Sequence, residues 1–184
     1  EAMLNWLLKE YPHISYVSIS SNFCTDKKVS AVNAILGRGK YVVAEMLISR
    51  AICQNVLATT PEKIVDLHIK KNLLGTMLAG GLRSANAHFA NILLAIYLAT
   101  GQDAANIVEG SQGIVHAEVR ADDLYFSVSL PNLIVGAVGN GKDLAFTRHN
   151  LAQLGCLPQA TPGLAARRLA IIVAAAVWCG ELSL

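Results

Sequence analysis

An α+β fold, with a long central apolar helix, surrounding helices and a small antiparallel sheet, is predicted from three features of this chain. Residues 114–120 and 124–130 alternate apolar and polar side chains on either side of Ala121-Asp122-Asp123, the pattern of a β-hairpin with one buried face. Two apolar runs, Ala90 to Thr100 and Leu169 to Cys179, read as buried helices. Thr60-Pro61-Glu62 and Thr161-Pro162 supply helix starts, because a hydroxyl caps the first free N–H groups and proline is tolerated at the first helical position.

The elements follow in order. Residues 2–10 read as the end of an amphipathic helix that stops before Pro12. Ile14 to Ser18 is expected to be a short strand, and Ala31 to Leu36 a short helix. Gly37-Arg38-Gly39 is a turn, and the valine-rich stretch Tyr41 to Ile48 is a strand. The helix opened by Thr60 should run to about Leu74, placing Ile64, Leu67, Lys71 and Leu74 on one stripe. A lysine on such a stripe needs water or a partner. Ser84 or Asn86 is the expected cap of the next helix, which ends at Gly101 and carries His88 and Asn91 on one face. Gly136, Gly139 and Gly141 mark a loop, followed by helices over 143–154 and 162–179.

Composition narrows the class. Hydrophobic residues make up 53% of the 184 and charged ones 15%, against a usual charged fraction of about 25%. Either a membrane protein or a chain with a large core and subunit interface fits. The apolar runs fall short of the ~20 residues of a membrane span, which favours the second. A net charge of +2 and 6% aromatics argue against nucleic acid. Cys24, Cys53, Cys156 and Cys179 form no CxxC pair, so neither a zinc site nor a disulfide framework is expected and a reducing cytoplasm is the natural compartment. His13, His68, His116 and His149 show no metal-ligand spacing, and the N-terminal residues lack the basic region and cleavage site of a signal peptide. The glycine clusters match neither a phosphate loop nor a dinucleotide fingerprint.

The polar segment Ser20-Ser21-Asn22-Phe23-Cys24-Thr25-Asp26-Lys27-Lys28 stands out in this apolar chain. Two adjacent ammonium groups disfavour each other's charge unless a carboxylate or bound anion compensates. The segment suits an anionic substrate or an oxygen that turns negative during reaction; a solvated loop is the plain alternative. Asp103, in Gly101-Gln102-Asp103-Ala104-Ala105, is a good helix N-cap on its own. Lys71, in Lys70-Lys71-Asn72-Leu73, could simply extend to water from its helix.

These segments closely resemble the 3-hydroxy-3-methylglutaryl-coenzyme A reductase family. The resemblance also takes in Gly37-Arg38-Gly39-Lys40, Asn86-Ala87-His88-Phe89-Ala90-Asn91, Asp123-Leu124-Tyr125, Val138-Gly139-Asn140-Gly141 and Gly180-Glu181-Leu182-Ser183-Leu184. It implies reduction of 3-hydroxy-3-methylglutaryl-CoA to mevalonate and CoA with two NADPH, in the NADPH-preferring class I, by a homodimer whose active site is shared between subunits. Lys27 inherits the catalytic lysine's role and Asp103 that of the catalytic aspartate. Ser20, Asn22, Asp26, Lys28, Lys71 and Asn91 inherit substrate contacts, His88 a supporting place behind them, and Val138 and Gly139 the approach to the cofactor. Residues 1–19 correspond to the end of a small cofactor-binding domain and 20–184 to most of the large substrate-binding domain. A non-catalytic, dimerising acyl-CoA- or anion-binding domain on the same fold is the competing reading.

The family's catalytic glutamate, its Asp-Ala-Met-Gly-Met-Asn cofactor motif and its catalytic histidine are not in these residues, so the chain reads as an internal piece. Residues 1–184 alone are expected to show little or no reductase activity, because Lys27 and Asp103 cannot complete the proton transfers by themselves. Thioester-dependent NADPH oxidation measured on this segment would refute that.

Overall fold

The computed structural model describes residues 1–139 and 141–183. Asn140 of the glycine loop and Leu184 of the last motif lie outside the described residues. The fold is α+β and its sheet is small, three-stranded and antiparallel, in the order β1-β3-β2. Strand β1 is Lys40–Ile48, β2 is Ile114–Arg120 and β3 is Asp123–Leu133. The predicted hairpin is present: Arg120 pairs with Asp123 across Ala121 and Asp122, whose φ values of +47° and +74° are those of the tight turn that matches strand twist. On β3, Phe126, Val128 and Leu130 are buried as the alternation predicts, but Ser127 between them is buried too, because the strand is central in the sheet.

The core lies between this sheet and two helices. The longest helix, Leu164–Leu182, presents Leu169, Ala170, Val173, Ala174 and Val177 to the sheet at helical spacing. Its Trp178 Nε1 donates to the Phe126 carbonyl at 2.8 Å, and the two rings meet edge to face. The helix Phe89–Ala99 buries Phe89, Leu93 and Tyr97 and packs on the long helix where Gly180 permits close approach; a Cβ there would meet Ile92 Cδ1 at 2.2 Å.

The long central apolar helix that the sequence suggested is not found: the exposed side of this helix carries Arg167 and Arg168 beside Leu164, Ile171, Ala175 and Cys179. No helix among the described residues is long and apolar enough to cross a membrane.

The remaining elements, in chain order, are α1 (Ala2–Glu10), α2 (Ala31–Leu36), α3 (Arg50–Asn55), α4 (Pro61–Leu67), α5 (Thr76–Leu78), α6 (Phe89–Ala99, above), α7 (Ile107–Gly110), α8 (Ala145–Gln153) and α9 (Leu164–Leu182, above). Several depart from expectation. Ile14 to Ser18 forms no strand; it pairs with nothing among the described residues, and Tyr16 and Val17 are exposed. Helix α3, capped by Ser49, went unanticipated. Thr60 caps α4 as predicted, but from His68 to Gly75 the chain winds as a π-helix. The i→i+5 bonding of that form breaks the 3.6 period from His68 on; Lys71 and Leu74 are exposed rather than on a buried stripe, and so is Leu67 at the end of α4. Neither Ser84 nor Asn86 caps α6; the Asn86 amide donates to Ser84 Oγ and to the Ser111 and Gly113 carbonyls. Helix α9 starts after Gly163, at φ +80°, two residues beyond the predicted Thr-Pro start.

Leu93, fully buried in this core, gives a direct test. Leu93→Ala is expected to lower stability by about 2–5 kcal/mol, read from the urea midpoint at unchanged slope. A shift below about 1 kcal/mol would move the core elsewhere.

Candidate active site

The polar loop before α2 has no ladder to hold it, and side chains fix its course instead. Asn33, buried on α2, donates through Nδ2 to the carbonyls of Thr25 at 2.8 Å and Lys28 at 2.9 Å. Ser30 caps the same helix by accepting from the Asn33 N–H. Asn22 and Lys27 both take φ +56°, the left-handed region that residues with a Cβ rarely occupy. The Lys27 N–H donates to the Glu109 carboxylate of α7.

This backbone path carries the Lys27 ammonium to Asp103. Nζ lies 2.8 Å from Asp103 Oδ2 and 3.4 Å from Asp26 Oδ2. Asp103 also caps the 3₁₀ turn Ala104–Asn106, accepting from the Ala105 N–H at 3.0 Å, so the cap and the partner of the lysine are one carboxylate. Asp26 is held from its other side: Arg38 Nη2 donates to its Oδ1 at 2.8 Å and Asn106 Nδ2 at 3.1 Å. Lys28 turns back onto the loop, donating to Asn22 Oδ1 at 2.9 Å and to the Asp26 carbonyl at 3.2 Å. Ser20 bonds within the loop alone among the described residues, to Ser18 and to the Asn22 N–H.

The charges bias one another's protonation. The hydrogen bond and charge of Asp103, then the charge of Asp26, hold the Lys27 ammonium above the usual lysine range. Lys27 in turn lowers Asp103; partial burial opposes this and the Ala105 N–H assists. For Asp26, burial pushes upward, but the Asn106 and Arg38 hydrogen bonds and the Lys27 charge outweigh it and leave the carboxyl below its usual value.

Lys71, His88 and Asn91 lie outside this hydrogen-bond network. Lys71 lines a cleft of about 550 Å³ with His68, Asn72, Glu181 and Ser183, and no member of the Lys27 cluster lines it. Buried Glu181, at the end of α9, accepts from the N–H groups of Ala87 and His88 just ahead of α6, whose first turn has no side-chain cap. Burial raises its pKa against the pull of these N–H groups and of His88 and Lys71. Asn91 Nδ2 and His88 Nδ1 are hydrogen-bonded at 3.0 Å.

The glycine loop sits against the Asp103 turn. The Gly136 N–H donates to Gln102 Oε1 at 2.8 Å. A Cβ on Gly101 would meet the Gly141 carbonyl at 2.7 Å, and the Lys142 ammonium donates to the Gly101 carbonyl. Val138 is 71% exposed, and nothing lies within 4 Å of a Cβ built on Gly139, at φ +107°. Both line a recess with Lys142 and Arg148. Asp143 lines the same recess, so its rim carries two cations and one carboxylate.

Four residues of the cluster escaped the sequence reading: Asn33, Arg38, Asn106 and Glu109. Arg38 had a local signal, a cation between two glycines that both take positive φ. Glu109 had none; an acid on a one-turn helix looks solvated until the fold buries it.

The pKa directions set the sign of a test. Asp103 is lowered, so the pair's stabilisation is present above the ordinary carboxylate value and is lost as pH falls through the lower folded one. Lys27 is raised, so the same contribution is lost on the alkaline side as pH rises through its folded value. Asp103→Asn is therefore expected to lower urea stability slightly at neutral pH, the pair being half exposed, and to converge on the parent protein below about pH 4. A gap that stays constant down to the acid limit would remove the pair from the account.

Three relatives are informative. The 3-hydroxy-3-methylglutaryl-coenzyme A reductase of Aeropyrum pernix is 54% identical over 169 residues, 91% of this chain and 40% of its own length. That of Pyrococcus horikoshii is 47% identical over 186 residues, covering this chain in full and 45% of its own. 3-hydroxy-3-methylglutaryl-coenzyme A reductase 1 of Oryza sativa subsp. japonica is 47% identical over 188 residues, of which the chain covers 35%. The chain thus spans less than half the length of these relatives. The family described as hydroxymethylglutaryl-coenzyme A reductase matches residues 1–184, and the chain belongs to that family.

Proposed function

We propose that this chain is the substrate-gripping part of an NADPH-dependent reductase that converts 3-hydroxy-3-methylglutaryl-CoA to mevalonate and CoA, in the route to isoprenoids. The observation that carries this reading is the 2.8 Å contact of Lys27 with Asp103, two residues far apart in sequence that family resemblance alone had assigned to one reaction centre. NADPH, when bound, supplies hydride to the thioester carbon. As that carbon is reduced, its oxygen takes up negative charge, and the Lys27 ammonium is the group to hold it. Asp103 keeps Lys27 protonated between turnovers and moves with it as a proton-sharing pair.

Asn22, Asp26, Lys28 and Ser20 shape the loop that receives the glutaryl end. Lys71 supplies a second cation for the substrate carboxylate, and Asn91 a contact, with His88 holding Asn91 in place. The open edge at Val138 and Gly139 receives the cofactor. Residues 1–19 belong to a cofactor-binding unit and 20–184 to the substrate-binding one; α1 has no buried residue and Val17 and Ile19 are exposed, as expected of a segment that packs on chain outside these residues. Exposed Ile35, Leu36, Met77 and Leu78 suit a homodimer with a shared site. The separation of the Lys71 cleft from the Lys27 cluster suits it too, since a second subunit then has groups to contribute to both. Four free cysteines suit a cytoplasmic setting.

In the full-length protein, Lys27→Ala is expected to lower kcat by about 10²-fold or more while changing substrate affinity far less. An unchanged rate would leave the competing reading, an anion-binding domain without chemistry. NADPH is expected to support a higher kcat/KM than NADH; equal values would place this protein outside the NADPH-preferring class.

A further inference from the structure

Glu109 is the most deeply buried charged residue of the cluster, at 0% exposure on α7. A buried carboxylate persists only where donors and cations compensate it, and here the compensation comes from the loop that carries Lys27. Glu109 accepts from the Lys27 main-chain N–H. Asn106 Nδ2 donates to its two oxygens at 3.3 and 3.4 Å. Arg38 Nε lies 3.6 Å from Oε1, an ion-pair contact longer than a hydrogen bond.

Two of these partners look both ways. Arg38 and Asn106 also donate to Asp26 Oδ1, and the other oxygen of Asp26 is 3.4 Å from the Lys27 ammonium. Lys27 is thus held at its N–H by Glu109 directly, and its ammonium, besides the 2.8 Å contact with Asp103, by Asp26, which Glu109 orients through Arg38 and Asn106. The left-handed backbone at Lys27 makes the first hold necessary, because a residue with a Cβ leaves that region unless something restrains it.

We infer that Glu109 is the positioning residue for the Lys27 ammonium: it acts from beneath the loop, fixes where the cation points, and itself touches no substrate. The kinetic arm of this inference rests on the reductase reading; the structural arm does not.

The test uses full-length protein. Glu109→Gln keeps the shape but removes the charge that holds Arg38. It is expected to lower kcat by about 10- to 100-fold, to change KM for the acyl-CoA thioester by less than about 3-fold, and to speed hydrogen–deuterium exchange in peptides spanning 22–30. In a Lys27→Ala background the same substitution should cost less than about 2-fold more, because the group it positions is gone. Equal losses in both backgrounds, or unchanged exchange, would overturn the inference. Should Glu109→Gln fail to fold, Asn106→Ala removes one shared donor and is expected to give the same pattern at smaller size; additivity there would overturn it equally. Absence of thioester reduction by the parent protein would sink the reductase reading, while the exchange measurement would still decide whether Glu109 anchors the loop.

Discussion

The contact between Lys27 and Asp103 is the constraint around which the functional part of this molecule is arranged. It joins an irregular loop before α2 to the turn that follows α6, and neither segment has a sheet ladder to hold it. Both partners are about half exposed, so the pair adds little to stability. Its value is geometric. It fixes one ammonium beside one carboxylate, and the surrounding hydrogen bonds are spent on keeping it there.

The core makes this possible at a distance. Helix α9 lies across β1 and β3, and α6 lies against α9. The end of α6 therefore has a fixed height above the sheet, and the Gly101–Asp103 turn leaves from it. The turn is locked again from the far side by Gln102 and Lys142, which bond across to and from the glycine loop. The Asp103 carboxylate is thus tied to the packed interior by several short links.

Two buried carboxylates repeat one device. Glu109 accepts from the Lys27 N–H, and Glu181 accepts from the N–H groups of Ala87 and His88. Each satisfies main-chain donors that no regular element could satisfy, and each joins segments far apart in sequence. One stands behind the Lys27 cluster; the other lines the cleft with Lys71 and holds the main chain of His88. The cost of burying a charge is accepted at both places, and at both the carboxylate holds main chain that no strand or helix holds.

The sequence by itself determined the hairpin, the Thr60 cap, the positions of the two principal helices and the Asp103 cap of the turn after α6, because these rest on local signals: alternation, a hydroxyl before proline, apolar runs and an Asx cap. It misplaced the stripe through Lys71, since a π-helix differs from an α-helix by one hydrogen-bond step that no side-chain period announces. It also assigned the α6 cap to Ser84 or Asn86, when no side chain caps that helix and Glu181 of α9 holds the main chain just ahead of it. The tertiary structure alone decided that Asp26, Arg38, Asn106 and Glu109 form one charge network, and that Lys71 belongs to a different cleft from Lys27. Such groupings depend on which segments the core brings within about 3–4 Å, the range over which hydrogen bonds and ion pairs act, and that proximity is not written in the order of the residues.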